Sequence, residues 1–257
     1  MMMSNSSLIS LTKISPNKNS PRNHAIDTIT IHCVVGQLSA EAICNCFTST
    51  DRQASCNYAI GTDGQIALVV DEKDRSWCSS NADNDNRAIT IECASDTTTP
   101  YAINDKVYAS LINLCADICK RNNIKELKWK ADKSLIGQVD KQNMTVHRWF
   151  ANKDCPGDYI YERLGQIAAE VNEKLGVNSV TTTATNATSF KSYSVRVSIL
   201  NLNIRKGAGT NYEKTGKYTG KGVFTIVEEK AGKGSEKGWG KLKSGLGWIS
   251  LDHVTKL

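Results

Sequence analysis

The chain has 257 residues, 40% hydrophobic and 23% charged, an ordinary globular usage that excludes disorder throughout. No apolar run approaches the roughly 18 residues a membrane-spanning helix needs, so no membrane insertion is expected. The formal charge of +6 is uneven. From Thr181 onward 13 Lys+Arg stand against 5 Asp+Glu, leaving 19 against 21 before it, so a near-neutral body carries a basic tail suited to an anionic partner.

Residues 1–24, "MMMSNSSLISLTKISPNKNSPRNH", lack a basic start followed by a continuous apolar stretch. They read as a polar N-terminal arm and not as a signal peptide, so the chain is expected to be made and kept in the cytoplasm unless something else releases it. From residue 25 strands and helices alternate. "DTITIHCVV" (27–35) alternates isoleucine with threonine, as a strand entering a core does. "SAEAICNCF" (39–47) is helical with Ser39 as N-cap. "CNYAIGTDGQIALVV" (56–70) is a hairpin about Thr-Asp-Gly, and "AITIECA" (88–94) a buried strand. "NDKVYASLINLCADICKRNN" (104–123) carries a helical stripe at 107, 111, 114, 115, 118 and 119. "GDYIYERLGQIAAEVNEKLG" (157–176) predicts one further helix stopped by Gly176. This order implies an α/β domain over 25–176, a central mixed β-sheet flanked by helices.

Residues 177–192 are rich in Ser, Thr, Asn and Ala without hydrophobic period and read as a linker; "NAT" at 186–188 is a glycosylation sequon with no secretory route to use it. Over 193–257 short β-rich runs separated by glycines imply a small all-β barrel or sandwich.

Nine cysteines, at 33, 44, 46, 56, 78, 93, 115, 119 and 155, are odd in number and irregular in spacing. Without a signal sequence most read as reduced thiols serving as small apolar side chains. Of four histidines, His32 ends a predicted strand and His147 follows a β-like "MTV", places where site residues are usual. Cys155 stands eight residues after His147, just before Pro-Gly. Two histidines and a cysteine form an open zinc site with one corner for water, although ligands spread from 32 to 155 also suit structural histidines and an apolar cysteine.

The successive words "TITIHCVVG", "CNYAIGTDGQI", "RSWCSSNADNDNRAITIECAS" and "TVHRWFANKDCPG" carry a resemblance. Over about residues 25–175 the chain resembles the zinc-dependent N-acetylmuramoyl-L-alanine amidases, the family of phage lysins and peptidoglycan recognition proteins, and most of all clostridial-type phage endolysins. The resemblance implies one Zn²⁺ ion held by His32, His147 and Cys155. It implies Glu92 as proton carrier, Lys153 against the oxyanion and Tyr58 orienting water or the substrate carbonyl. Each of these also suits a bland role: a strand-end carboxylate, a surface lysine, a core aromatic. Relatives often have histidine where this chain has Asn57, and Trp-His-Ala-Gly where it reads "WCSS" at 77–80. Trp77 and Trp129 suit a sugar cleft or core packing, and Arg148 a neighbouring carboxylate. His24 and His253 are not assigned to the metal.

The tail, through "LNIRKGAGTNY" and "GWGKLKSGLGWI", resembles a bacterial SH3-like domain, a module that commonly binds cell walls. Arg205, Tyr212, Trp239 and Trp248 are the implied wall contacts, with barrel core as the other role for the two tryptophans. The expected function is an endolysin-like peptidoglycan hydrolase that cleaves between N-acetylmuramic acid and L-alanine and acts on the wall after release. The expected partners are peptidoglycan and an anionic wall polymer. A non-catalytic peptidoglycan-binding protein and a bacterial autolysin are the alternatives. Nucleic acid is not an expected partner, because helix-turn-helix and zinc-finger spacings are absent.

Overall fold

Two short strands, β1 (Leu11–Thr12) and β2 (Lys18–Asn19), begin the computed structural model, which describes residues 4–177 and 192–257. Nearly all of the expected linker, with its sequon, lies outside the described residues. The chain divides into two units, Met1–Ser179 and Val180–Leu257.

In the first unit there follow β3 (Thr28–Cys33), α1 (Ala40–Asn45), β4 (Tyr58–Ile60), β5 (Ile66–Leu68), β6 (Arg75–Ser76), α2 (Ala82–Arg87) and β7 (Ala88–Cys93). Then come α3 (Asp105–Arg121), β8 (Met144–Thr145), α4 (Gly157–Tyr161) and α5 (Leu164–Leu175). A six-stranded mixed sheet runs β1-β5-β4-β7-β3-β8, antiparallel only between β4 and β5. β4 and β5 are the expected hairpin. Its turn closes through Gly61 N donating to Gln65 O at 3.0 Å, with Gly64 at φ +85°.

Register divides the sheet into two unlike faces. Ile31 pairs with Ile91 and Tyr58 with Ile91, so these side chains share the face that α3 covers. Leu111, Leu114 and Ile118 of α3 are fully buried in the same core, each worth about 1.5–3 kcal/mol of apolar burial. Thr30, His32, Thr90 and Glu92 point the opposite way, as a period of two requires. There the threonines and asparagines satisfy one another, while His32 Nε2 and Glu92 Oε2 stay without a partner among the described residues. Thr30 Oγ1 lies 2.7 Å from Thr145 Oγ1, Thr145 donates to Asn84 Oδ1 at 2.8 Å, and Thr90 N donates to Asn57 Oδ1 at 3.1 Å. This face positions the site.

Three expectations change in the first unit. The predicted single helix over 157–176 breaks into α4 and α5. The Arg163 guanidinium takes the Tyr159 carbonyl at 2.9 Å, while Arg163 N turns to Ile160 O, so the helical ladder is interrupted. Tyr58 does not face the site. Its hydroxyl donates to buried Glu72 Oε1 at 2.6 Å and accepts from Ser6 N at 2.9 Å, and Arg121 grips the same carboxylate at 2.6 and 2.8 Å. The bland role, a core aromatic, is the one it takes.

The third change is the N-terminal arm. Residues before 25 are part of the first unit: β1 pairs in parallel with β5, and β2 pairs antiparallel with β6. Arg22 is buried, and its guanidinium donates to the carbonyls of Glu72, Asp74, Asn86 and Ala88 at 2.6–3.1 Å and of Asp85 at 3.3 Å. Arg22→Ala is expected to lower unfolding stability by about 3 kcal/mol, because several buried carbonyls lose a charged donor at once. Arg22→Lys should recover little, since one ammonium cannot reproduce a planar fork. Urea denaturation of both variants checks this, and parental midpoints would remove Arg22 from the frame of the fold.

All nine cysteines are free thiols; Cys46 is exposed, Cys155 partly so, and the rest are buried.

The second unit is all antiparallel: β9 (Tyr193–Val197), β10 (Asn203–Arg205), β11 (Lys214–Tyr218), β12 (Gly222–Lys230), β13 (Trp239–Leu242), β14 (Trp248–Ser250) and β15 (Val254–Lys256). They lie in the order β11-β10-β14-β13-β12-β9-β15 around a core that includes Val195, Val197, Ile204, Ile226, Leu242 and Ile249. Trp239 and Trp248 do not face outward as wall contacts. They are 3% and 7% exposed, with Arg205 lying 5.9 Å from the Trp239 ring and Lys230 and Lys241 5.2 and 5.9 Å from that of Trp248. Their faces are already covered by cations of their own unit. Tyr212, 48% exposed, and half-buried Arg205, which donates to Tyr212 O at 2.7 Å, remain accessible.

Candidate metal centre

β3 and β7 lie in register so that His32 and Glu92 are cross-strand partners on the polar face. β8, on the other side of β3, delivers the chain into a 3-10 turn at His147–Trp149. The loop after that turn returns to Cys155 and is tied back by Arg148 N donating to Cys155 O at 3.1 Å. Gly157, at φ +79°, ends the loop where a Cβ would stand 2.8 Å from Tyr101 Cβ and 2.9 Å from Pro100 O, so the Pro-Gly step needs its glycine.

Three sequence-distant side chains meet here. Donor atoms of His32, His147 and Cys155 all lie within 4.8 Å of one another. Cys155 Sγ is 3.3 Å from His32 Nδ1, and the imidazole rings are 5.1 Å apart at 58°. His147 Nε2 is 3.1 Å from Ser80 Oγ, which leaves Nδ1 as its free nitrogen.

The electrostatics suit a cation. Burial and the neighbouring His147 lower the His32 pKa to about 3; burial and Lys153 lower that of His147. Both rings are therefore neutral near pH 7, with lone pairs to give. Contact with Cys33 and burial hold the Cys155 thiol up, the opposite of what an isolated nucleophile needs and what a metal ion would reverse. Burial also raises the Glu92 pKa to about 7, against weaker opposing effects of Arg52 and the Cys78 thiol. Cys78 Sγ donates to Glu92 Oε1 at 3.9 Å. Glu92 Oε2 and His32 Nε2 are buried and have no hydrogen-bond partner among the described residues. Two nitrogens and a sulfur converging beside an unspent carboxylate oxygen fit a zinc ion with an open corner.

Beside the centre runs a cleft of about 510 Å³ lined by His147, Lys153, Trp77, Ser80, Arg52 and Arg75 among others. Lys153 and Trp77 are thus brought to the site; the Trp77 indole N–H donates to Asn19 Oδ1 at 2.7 Å. Trp129 stacks on Trp149 at 5.0 Å and packs against the core instead. Arg148 pairs with Asp158 at 3.1 Å. Arg52, Arg75 and Ser80 had not been singled out from the sequence. Ser80 ends "WCSS", and only nearness to that word and to the hairpin could have pointed to Arg75 and Arg52.

The N-acetylmuramoyl-L-alanine amidase family profile matches residues 22–158, more than half of the chain, and takes in every residue of the centre. The chain belongs to the N-acetylmuramoyl-L-alanine amidase family. As a member it is a peptidoglycan amidase. It is similar to the solved structure of PlyL, with 18% identity, 65% of this chain and 98% of that one covered, and a TM-score of 0.42. It is likewise similar to the endolysin LysCS from Clostridium intestinale URNW (15% identity, 67% and 100% covered, TM-score 0.43). A third similar structure is the hydrolase AmiA from Staphylococcus aureus (14% identity, 66% and 86% covered, TM-score 0.47). No curated protein sequence matches the chain. Among the described residues no helix is long and apolar enough to cross a membrane.

Proposed function

We propose that this amidase is an endolysin-like hydrolase that cuts the amide between N-acetylmuramic acid and the L-alanine of the stem peptide, with one zinc ion held by His32, His147 and Cys155. A bound zinc ion supplies Lewis-acid activation of a water and of the scissile carbonyl. The observation that carries this reading is the convergence of those three donors beside Glu92. Glu92 takes the proton of the attacking water on its carboxylate and passes it to the leaving amine, work for which its buried Oε2, with no partner among the described residues, is placed. The Lys153 ammonium, on the cleft wall with His147, faces the negative charge that develops on the carbonyl oxygen. Trp77 offers an aromatic wall for the saccharide.

The test is chemical. Purified walls treated with the protein should gain free amino groups on L-alanine and no new reducing ends, and a chelator should stop the gain. New reducing ends would make it a glycosidase; binding without either change would make it a non-catalytic peptidoglycan-binding protein.

The second unit is proposed to be an SH3-like module that holds the enzyme on an anionic wall polymer, with Arg205 and Tyr212 as contacts. Its charge balance supports this, 13 Lys+Arg against 5 Asp+Glu. Exposed charges are screened beyond about 10 Å at 0.1 M salt, so wall adhesion should fall as salt rises. A chain ending at residue 180 should still hydrolyse soluble muropeptide while sedimenting poorly with walls. Equal sedimentation of the two chains would reassign the second unit. Action follows release from the cell that makes it.

A further inference from the structure

We infer that Ser80 is the positioning residue that fixes the aim and tautomer of His147, a role that rests on the metal centre proposed above. Ser80 sits at φ +61°, the left-handed region that glycine enters freely and residues with a side chain rarely adopt. Its neighbours explain why the backbone must turn there. The Asp85 carboxylate accepts from Cys78 N at 2.9 Å, from Ser79 N at 3.1 and 3.2 Å and from Ser79 Oγ at 2.6 Å, which pins the chain before Ser80. Asn81 is pinned after it as the cap of α2, its Oδ1 accepting from Asn84 N at 2.8 Å. Held on both sides, residue 80 is a position that glycine would fill with less strain.

The serine hydroxyl has a use that glycine could not supply. Ser80 Oγ stands 3.1 Å from His147 Nε2. An imidazole that ligates a metal through one nitrogen carries its proton on the other, and a hydrogen bond there sets both tautomer and ring orientation. With Ser80 Oγ accepting from Nε2–H, the Nδ1 lone pair is the one presented to the metal. His32 is immobilised differently, by complete burial within the sheet. His147 is only partly buried, in a short 3-10 turn beside the open cleft, and Ser80 is the side chain that tethers its outer nitrogen. The backbone strain at residue 80 is thus offset by orientation of a ligand.

Strain and orientation make opposite predictions for one substitution. In the full-length protein Ser80→Gly should raise the melting temperature of the metal-free form by about 2 °C, as left-handed strain is relieved. It should also weaken zinc binding about 10–100-fold, measured by competition with a chromophoric chelator. Ser80→Ala should weaken zinc to the same extent with no gain in melting temperature. In both variants the visible bands of the cobalt-loaded protein should shift, because the geometry at His147 changes. Parental zinc affinity in Ser80→Gly overturns the proposal, and so does a joint fall of zinc affinity and melting temperature in that variant, the mark of a purely structural residue. Parental protein that takes up no zinc brings down the metal centre itself; parental uptake with an unaffected glycine variant brings down Ser80 alone.

Discussion

Cys155→Ala is expected to fold, to take up no zinc, and to lose about 10³-fold or more in amide hydrolysis. The loop that carries Cys155 is held by groups the substitution leaves in place: its own carbonyl accepts from Arg148 N, and Arg148 pairs with Asp158. Circular dichroism and melting temperature of the metal-free protein should therefore stay close to the parent's. What goes is the single sulfur of a set of three donors. Two imidazoles alone are fewer protein ligands than catalytic zinc sites use. Lewis-acid activation is worth several kcal/mol, and each 1.4 kcal/mol is about a factor of ten in rate. Elemental analysis of the purified variant and release of amino groups from soluble muropeptide are the two readings. A metal-free Cys155→Ala protein that works at the parental rate would falsify the centre.

Glu92→Gln is the second large effect, of a different kind. Gln has the shape of Glu but cannot exchange a proton, and Glu92 is not one of the three ligands. Zinc content and KM should therefore hold, while kcat falls about 10²–10⁴-fold, the usual contribution of a positioned acid–base group. The site is arranged for this. Burial raises the carboxyl to about 7, and Oε2 has no partner among the described residues, so it is free for water or the leaving nitrogen. If the Gln variant turns over like the parent, the proton travels by another route and Glu92 is a packing residue. If it instead loses its zinc, the carboxylate belongs to the ligand set, and the open corner needed for water is gone.

Much of the candidate centre is legible in the sequence. The alternation of threonine with isoleucine around His32 marked a strand with one polar and one apolar face, and the same alternation recurs before Glu92. A motif with His147, Lys153 and Cys155 in short order carried the family resemblance. Tyr58 shows what one chain could not disclose. Tyr58 is opposite in parity to Asn57 and Ala59, and only the pairing of Tyr58 with Ile91 decides which face looks to the site. Trp239 and Trp248 failed for a related reason: tryptophan on a small β unit can be contact or cover, and the decision rests with Arg205, Lys230 and Lys241, none adjacent in sequence. Ser80 was half visible: it stands where relatives often have glycine, but a serine there does not by itself advertise a left-handed backbone.

The pairing of β1 with β5 bears on how the enzyme is prepared. A chain trimmed to begin at residue 25 would strip the outermost strand from the mixed sheet, together with the Arg22 side chain that gathers five carbonyls. The bared rim of Ile66–Leu68 would then offer unpaired amides and carbonyls along an apolar strand, a template onto which a second molecule can add. Such a trimmed enzyme should precipitate at concentrations the whole chain tolerates, however intact its catalytic residues.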